Sequence, residues 1–219
     1  MLFRSGYSVL LLTPRGERTV LVYRGASADF TAKEIDRSLA TKWIYVSSLG
    51  GDVAALQALW KRAAAQKIQI AWNPGAKELA LPLATIKSLI NQTAIFSVNQ
   101  EEAAKLTGHT RHQDISIFHE LRTWSNGIVL LTQGTDGCLA ALGHEAYHSG
   151  TRPVQVVDTT GAGDAFGCGF VGSWIRHADM KRALQDATAN SESVIAALGA
   201  KKGLLGKQTD GNSVPVQDL

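Results

Sequence analysis

The sequence predicts an α/β protein in three layers, a mostly parallel β-sheet with helices on both faces. Three observations carry this reading. Short apolar runs alternate with longer amphipathic stretches through residues 43–132, a rhythm that yields βαβ units. The apolar runs are nearly continuous, as strands covered on both faces require. Of 219 residues, 45% are hydrophobic and 19% charged, which is a globular balance and excludes disorder as the default state.

Each element follows in order. Residues 7–13 and 18–23 are β-rich runs around Pro14-Arg15-Gly16-Glu17 and read as a hairpin. Thr31 with Glu34 three residues on has capping-box spacing and predicts a short helix ending before Lys42. Trp43-Ile44-Tyr45-Val46 is the first buried strand, and residues 53–65 are an Ala/Leu-rich helix. The unit then repeats as strand 68–72, helix 83–90, strand 94–98 and helix 100–106. Ile117, Phe118, Leu121 and Trp124 fall on one helical face, and residues 127–132 form the next strand. Between Gly137 and Val157 the rhythm changes to short strands at 138–142, 146–149 and 154–157, read as an antiparallel edge. Helices at 163–177 and 181–198 close the pattern, and the tail from Gly203 reads as frayed.

Composition narrows the class. Lys plus Arg is 22 against 19 for Asp plus Glu, a net +3 with no basic run, so nothing argues for nucleic acid. The apolar runs stop far short of the ~18 residues a membrane span needs, and the N-terminus is a poor signal peptide. Cys138 and Cys168 lack metal or redox spacing and read as small buried side chains in a reducing, cytoplasmic setting.

The chemistry concentrates in residues 158–170, Asp-Thr-Thr-Gly-Ala-Gly-Asp-Ala-Phe-Gly-Cys-Gly-Phe, between a strand and a helix. A helix N-terminus presents unpaired N–H groups and partial positive charge, which suits an anion. Gly161, Ala162 and Gly163 let a phosphate approach the backbone closely. Asp164 sits in the first helical turn, where its carboxylate can take the proton of an attacking hydroxyl while the N–H groups stabilise the transferring phosphoryl. Read alone, the glycines would be a tight turn and the aspartates N-caps. Length, context and the terminal acid favour the anion loop.

This loop resembles the C-terminal signature of the ribokinase-like (PfkB) carbohydrate and nucleoside kinases, with no departure over residues 158–166. Further features agree in the family's order. Asn99 to Glu102 resembles its Asn-x-x-Glu element, which implies that Glu102 helps organise Mg²⁺ and phosphates. Thr132-Gln133-Gly134 with Gly137 resembles the segment lining the nucleotide site, and Asn190 matches a helix position near the adenine. The resemblance further implies Asp164 as catalytic base, the N–H groups of residues 161–164 as anion hole, and Asp158 and Thr160 as positions that bind a monovalent cation such as K⁺. Seen singly, Asn99 and Glu102 are an N-cap and a first-turn acid, Thr132 and Gly134 a strand end, and Asn190 a solvent-facing residue.

By this resemblance residues 1–30 are part of a β lid, a site of homodimer contact, and residues 31–219 are the ribokinase-like catalytic core. The implied activity is ATP-dependent phosphorylation of a hydroxymethyl group on a sugar or nucleoside. The family's N-terminal Gly-Gly-x-x-x-Asn stretch has no counterpart before the hairpin. The expectation is therefore a truncated kinase lacking most of its substrate-selecting part, or alternatively a catalytically silent nucleotide-binding or dimerisation module. Ser47-Ser48-Leu49-Gly50-Gly51-Asp52 reads equally as a cleft lining and as a capped turn.

Two patterns mislead. His144-Glu145-Ala146-Tyr147-His148 matches H-E-x-x-H, but its strand-like context sets the imidazoles about 13 Å apart, beyond sharing a zinc ion. His109, His112 and His119 read as solvated, without acidic partners.

Overall fold

The computed structural model describes residues 6–12, 18–28, 31–35, 40–110, 112–206 and 214–219. Strands β1 (Tyr7–Leu12) and β2 (Arg18–Tyr23) pair antiparallel with Tyr7 opposite Tyr23. The turn expected at residues 14–17 lies outside the described residues. Side-chain alternation puts Tyr7, Val9, Leu21 and Tyr23 on one face of this ribbon, and all four are exposed.

The core is a second sheet. Its parallel half runs β3 (Trp43–Val46), β4 (Gln69–Trp72), β5 (Ile95–Asn99) and β6 (Ile128–Thr132), each beside its predecessor. Helices α1 (Val53–Gln66), α2 (Ala76–Leu79), α3 (Leu83–Asn91), α4 (Gln100–Thr107) and α5 (Asp114–Trp124) make the crossovers. An antiparallel half continues the order with β7 (Cys138–Leu142), β8 (Glu145–Ser149) and β9 (Val216–Asp218), while α6 (Ala162–His177) and α7 (Met180–Ile195) lie between β8 and β9 in sequence.

Alternation along the strands divides the core in two. On β5 and β6, Phe96, Val98, Val129 and Leu131 join Leu56, Trp60, Ile86, Ile90, Ile117 and Leu121 of the crossover helices. Ile95, Ile128 and Leu130 face the other way, onto Phe166, Phe170, Leu184 and Ala187 of α6 and α7. Burying an aliphatic side chain of this size contributes about 1.5–3 kcal/mol, and these layers hold the site's strand ends rigid. Local signals set the boundaries. Asp52 caps α1 by accepting from Ala55 N at 3.0 Å, and Gly108 ends α4 in the left-handed conformation, φ 75°.

Four expectations change. Residues 154–157 are not a strand: Val157 N and Asp158 N both donate to the Ile195 carbonyl at the end of α7. The position beside β8 belongs to β9, so the tail is not frayed throughout but contributes a paired strand. Thr31 does cap, accepting from Lys33 N at 3.4 Å, but the helix is a 3₁₀ turn, Ala32–Ile35, and residues 36–39 lie outside the described residues. Cys168, one turn along α6 from the exposed Asp164, is itself exposed, while Cys138 is buried.

Candidate active site

Parallel strands end at one edge of a sheet, and ligands of open α/β folds bind beyond that edge. Four connections converge there: residues 47–52 after β3, Asn73 after β4, α4 after β5 and residues 133–137 after β6. Asn99 and Thr132, far apart in sequence, are register partners on adjacent strands. The two expected nucleotide elements are thus one rung apart.

Asn99 and Glu102 form a reciprocal capping box, Glu102 N donating to Asn99 Oδ1 at 2.9 Å and Asn99 N to Glu102 Oε2 at 3.0 Å. Partial burial raises the Glu102 pKa, the charge of Glu101 adds to this, and the bonds from Asn99 oppose it. One carboxylate oxygen is fixed and the group stands at the sheet edge, an arrangement suited to a hard, partly hydrated cation such as Mg²⁺. After β6, Gln133 N donates to the Gly137 carbonyl at 2.8 Å. Gly137 holds φ 95°, and a Cβ there would run into the Ser149 carbonyl, so only glycine closes this turn.

The anion loop opens α6 as expected. Gly161 takes φ 84° with its Cα against Ala200, where a Cβ would lie 2.7 Å from the carbonyl oxygen. Asp158 staples the loop: Oδ1 accepts from Thr160 N at 2.9 Å and Oδ2 from Gly199 N at 3.1 Å. Ala162 N donates to the Thr159 carbonyl at 3.3 Å. First-turn N–H groups have no intrahelical acceptor, which leaves those of Gly163 and Asp164 for an anion. A Cβ on Gly163 would meet nothing within 4 Å, so a ligand has room to reach the backbone. Asp164 is exposed.

Asp164 lies near β3. The Tyr45 hydroxyl abuts Gly167, one turn further along α6. Burial, then the charges of Cys168 and Asp164, push the Tyr45 phenol well above its ordinary pKa. Burial and Asp164 also raise the Cys168 thiol. Asn190 is buried, not solvent-facing. Its Nδ2 donates to the Ala165 carbonyl at 2.7 Å, and its Oδ1 accepts from Leu205 N at 2.9 Å. Both ends of the amide therefore brace α6 and the following segment.

Several residues at this edge escaped sequence reasoning. Glu78, 0% exposed, accepts from Leu49 N, Gly51 N, Gly75 N and the Ser48 hydroxyl at 2.7–3.1 Å, fixing the loop after β3. Its only sequence signal is the spacing Gly75-x-x-Glu78 ahead of an apolar run. Asp114 accepts from both Gln100 and Gln133. The decoys separate by backbone: His144 lies in a turn and His148 on β8, so no helical face joins them. His109 does have an acidic partner, Glu120 Oε2 at 3.0 Å.

Residues 4–205 match the pfkB family carbohydrate kinases. The chain belongs to this family. Among PfkB relatives, an uncharacterized sugar kinase of Archaeoglobus fulgidus is 27% identical over 207 residues, covering 92% of this chain and 80% of that protein. The aminoimidazole riboside kinase of Salmonella typhimurium is 30% identical, covering 91% and 67%. An Escherichia coli protein described as a candidate ribokinase II, solved with ATP and Mg²⁺, superposes with a TM-score of 0.77 at 20% identity, covering 90% of this chain and 67% of that one. At that identity the likeness shows the ribokinase fold. This chain spans about two thirds of the length of such structures, 62% for a probable sugar kinase from Rhizobium etli. No described helix is long and apolar enough to cross a membrane.

Proposed function

We propose that this PfkB chain binds MgATP along the carboxyl edge of β5 and β6 and transfers the γ-phosphoryl group to a hydroxymethyl group of a sugar or nucleoside, with Asp164 as base. One observation carries the reading. An exposed carboxylate stands in the first turn of α6 beside the Gly163 and Asp164 N–H groups, on a loop that glycine alone can form. Asp164 takes the proton from the attacking hydroxyl as its oxygen bonds to phosphorus, and the bond from phosphorus to the β-phosphate oxygen breaks. The N–H groups stabilise the charge of the transferring phosphoryl. Glu102, positioned by Asn99, is the residue that would help organise Mg²⁺, which when bound neutralises phosphate charge. The turn at Asp158 and Thr160 is where a monovalent cation would join, and the exposed face of Tyr7, Val9, Leu21 and Tyr23 supports a second copy as partner.

The test is ADP release from MgATP over a panel of ribose, fructose phosphate, adenosine and related nucleosides. Asp164→Asn should lower turnover about 10²- to 10⁴-fold with nucleotide affinity nearly unchanged. Retained turnover would remove Asp164 as base. Nucleotide binding without transfer to any acceptor would instead favour the silent nucleotide-binding module.

A further inference from the structure

We infer that Asp114 is a positioning residue for the nucleotide site, setting the gap between the segment that opens α4 and the turn after β6. The inference rests on the nucleotide site proposed above. Asp114 touches neither Asn99, Glu102, Thr132 nor Gly134 through any hydrogen bond among the described residues. Its Oδ2 alone accepts two amides: Gln100 Nε2 at 2.7 Å and Gln133 Nε2 at 2.9 Å. Gln100 is the first residue of α4, next to Asn99, and Gln133 follows Thr132 directly. One carboxylate oxygen thus grips the residue after each member of the Asn99–Thr132 rung.

The sheet fixes that rung only up to the strand ends. Beyond it the backbone of 133–137 curls away through the bonds of Asp136 N to the Gln133 carbonyl at 3.1 Å and of Gln133 N to the Gly137 carbonyl. These bonds hold the turn to itself, and the His148 ring at the Asp136 carbonyl and the Thr151 hydroxyl at the Thr135 carbonyl hold it to β8 and the segment beyond, but none reaches α4. Across the gap, the two amide arms on Asp114 are the hydrogen bonds that tie turn and helix together among the described residues. Asp114 is itself held in the first turn of α5, whose Ile117, Phe118 and Leu121 are at most 2% exposed, so the anchor cannot drift. An sp² oxygen carries two lone pairs, which lets a single oxygen serve both arms. Rigidity supplied before binding improves affinity by reducing what must be ordered on binding. The effect should therefore fall on nucleotide affinity and not on the transfer step.

The experiment has two readouts on the full chain. In nucleotide-free protein, amide hydrogen exchange is followed in residues 99–102 and 133–137. Asp114→Ala should speed exchange in both segments together, and Asp114→Asn, which keeps an oxygen able to accept both amides, should restore slow exchange. For binding, the probe is MgATP. Asp114→Ala should raise its Kd about fivefold to tenfold, roughly the equivalent of one ordinary hydrogen bond, with kcat for any accepted substrate within about twofold. Asp114→Asn should restore the Kd. Gln133→Met in the Asp114→Ala background should add nothing further. Unchanged exchange in one of the two segments, or an Asp114→Asn protein as impaired as Asp114→Ala, would overturn the tether. Failure of the parent chain to bind MgATP at all would refute the nucleotide site, while the exchange arm would still decide the tether.

Discussion

Replacing Glu78 by alanine removes a buried carboxylate on which four donors converge, and the structure sets the size of the effect. The Ser48 side chain is exposed and can turn to water, but Leu49 N, Gly51 N and Gly75 N are partly buried and point at the vacated space. A buried donor left unmade costs about 1–3 kcal/mol. Three of them, partly relieved by entering water, should destabilise the protein by about 3–5 kcal/mol, a large part of a typical domain's 5–15 kcal/mol. Glu78→Gln is the internal control. Its oxygen should keep the Oε1 place, which serves Leu49 N and Gly51 N, and put the amide where Oε2 meets Gly75 N, losing one backbone bond for about 1–2 kcal/mol. Urea unfolding at fixed pH, followed by circular dichroism and extrapolated to water, measures both. The expected order is parent, Gln, Ala. An alanine variant within about 1 kcal/mol of the parent, or equal losses for both variants, would refute the claim that this carboxylate organises the loop.

Four further outcomes follow from the same geometry. Tyr45 carries a buried hydroxyl with no partner among the described residues, so Tyr45→Phe should stabilise by about 1 kcal/mol. Gly167→Ala, whose new methyl would strike that hydroxyl, should cost less when combined with Tyr45→Phe, and strict additivity in the double-mutant cycle would sink the contact. Gly137→Ala should lower stability by about 3 kcal/mol or more, because a positive φ and a clash with the Ser149 carbonyl act together, read as a drop in thermal midpoint. Glu102 holds its proton more tightly in the folded chain than unfolded, through burial first. Its contribution is thus fully present below the unfolded value of about 4.5 and is lost as pH rises through the raised one. Glu102→Gln should gain stability relative to the parent between about pH 4 and pH 7, and an equal difference at both ends would contradict the burial.

What the sequence made legible is what local rules decide. The apolar stripe Ile117, Phe118, Leu121 and Trp124 is buried as its spacing requires, and the Asn99 and Glu102 pair is the capping box its three-residue interval suggests. The glycine loop that opens α6 was readable as a strand-to-helix turn because helix start, glycines and acid lie together in the chain. Failures came where a distant partner decided the outcome. Val154, Val156 and Val157 are β-branched and strand-like, yet the Ile195 carbonyl takes the N–H groups of Val157 and Asp158. Nearby, the largely buried Glu192 holds Arg152 through its backbone N and its guanidinium at 2.6–2.7 Å. Glu78 and Asp114 serve partners up to 30 residues away, and no local pattern encodes such a convergence.

The wide sequence separation between β8 and β9 bears on how the chain folds. Strand β9 closes the outer edge of β8, pairing Tyr147 with Asp218 and Ser149 with Val216, yet both long helices α6 and α7 lie between the two strands in sequence. Contacts between segments so far apart form slowly. Until β9 pairs, the backbone groups of β8 on that side are open to solvent and to other chains. Such an edge templates misassembly while it stays bare. By covering that edge, β9 bears on folding yield as well as on native stability.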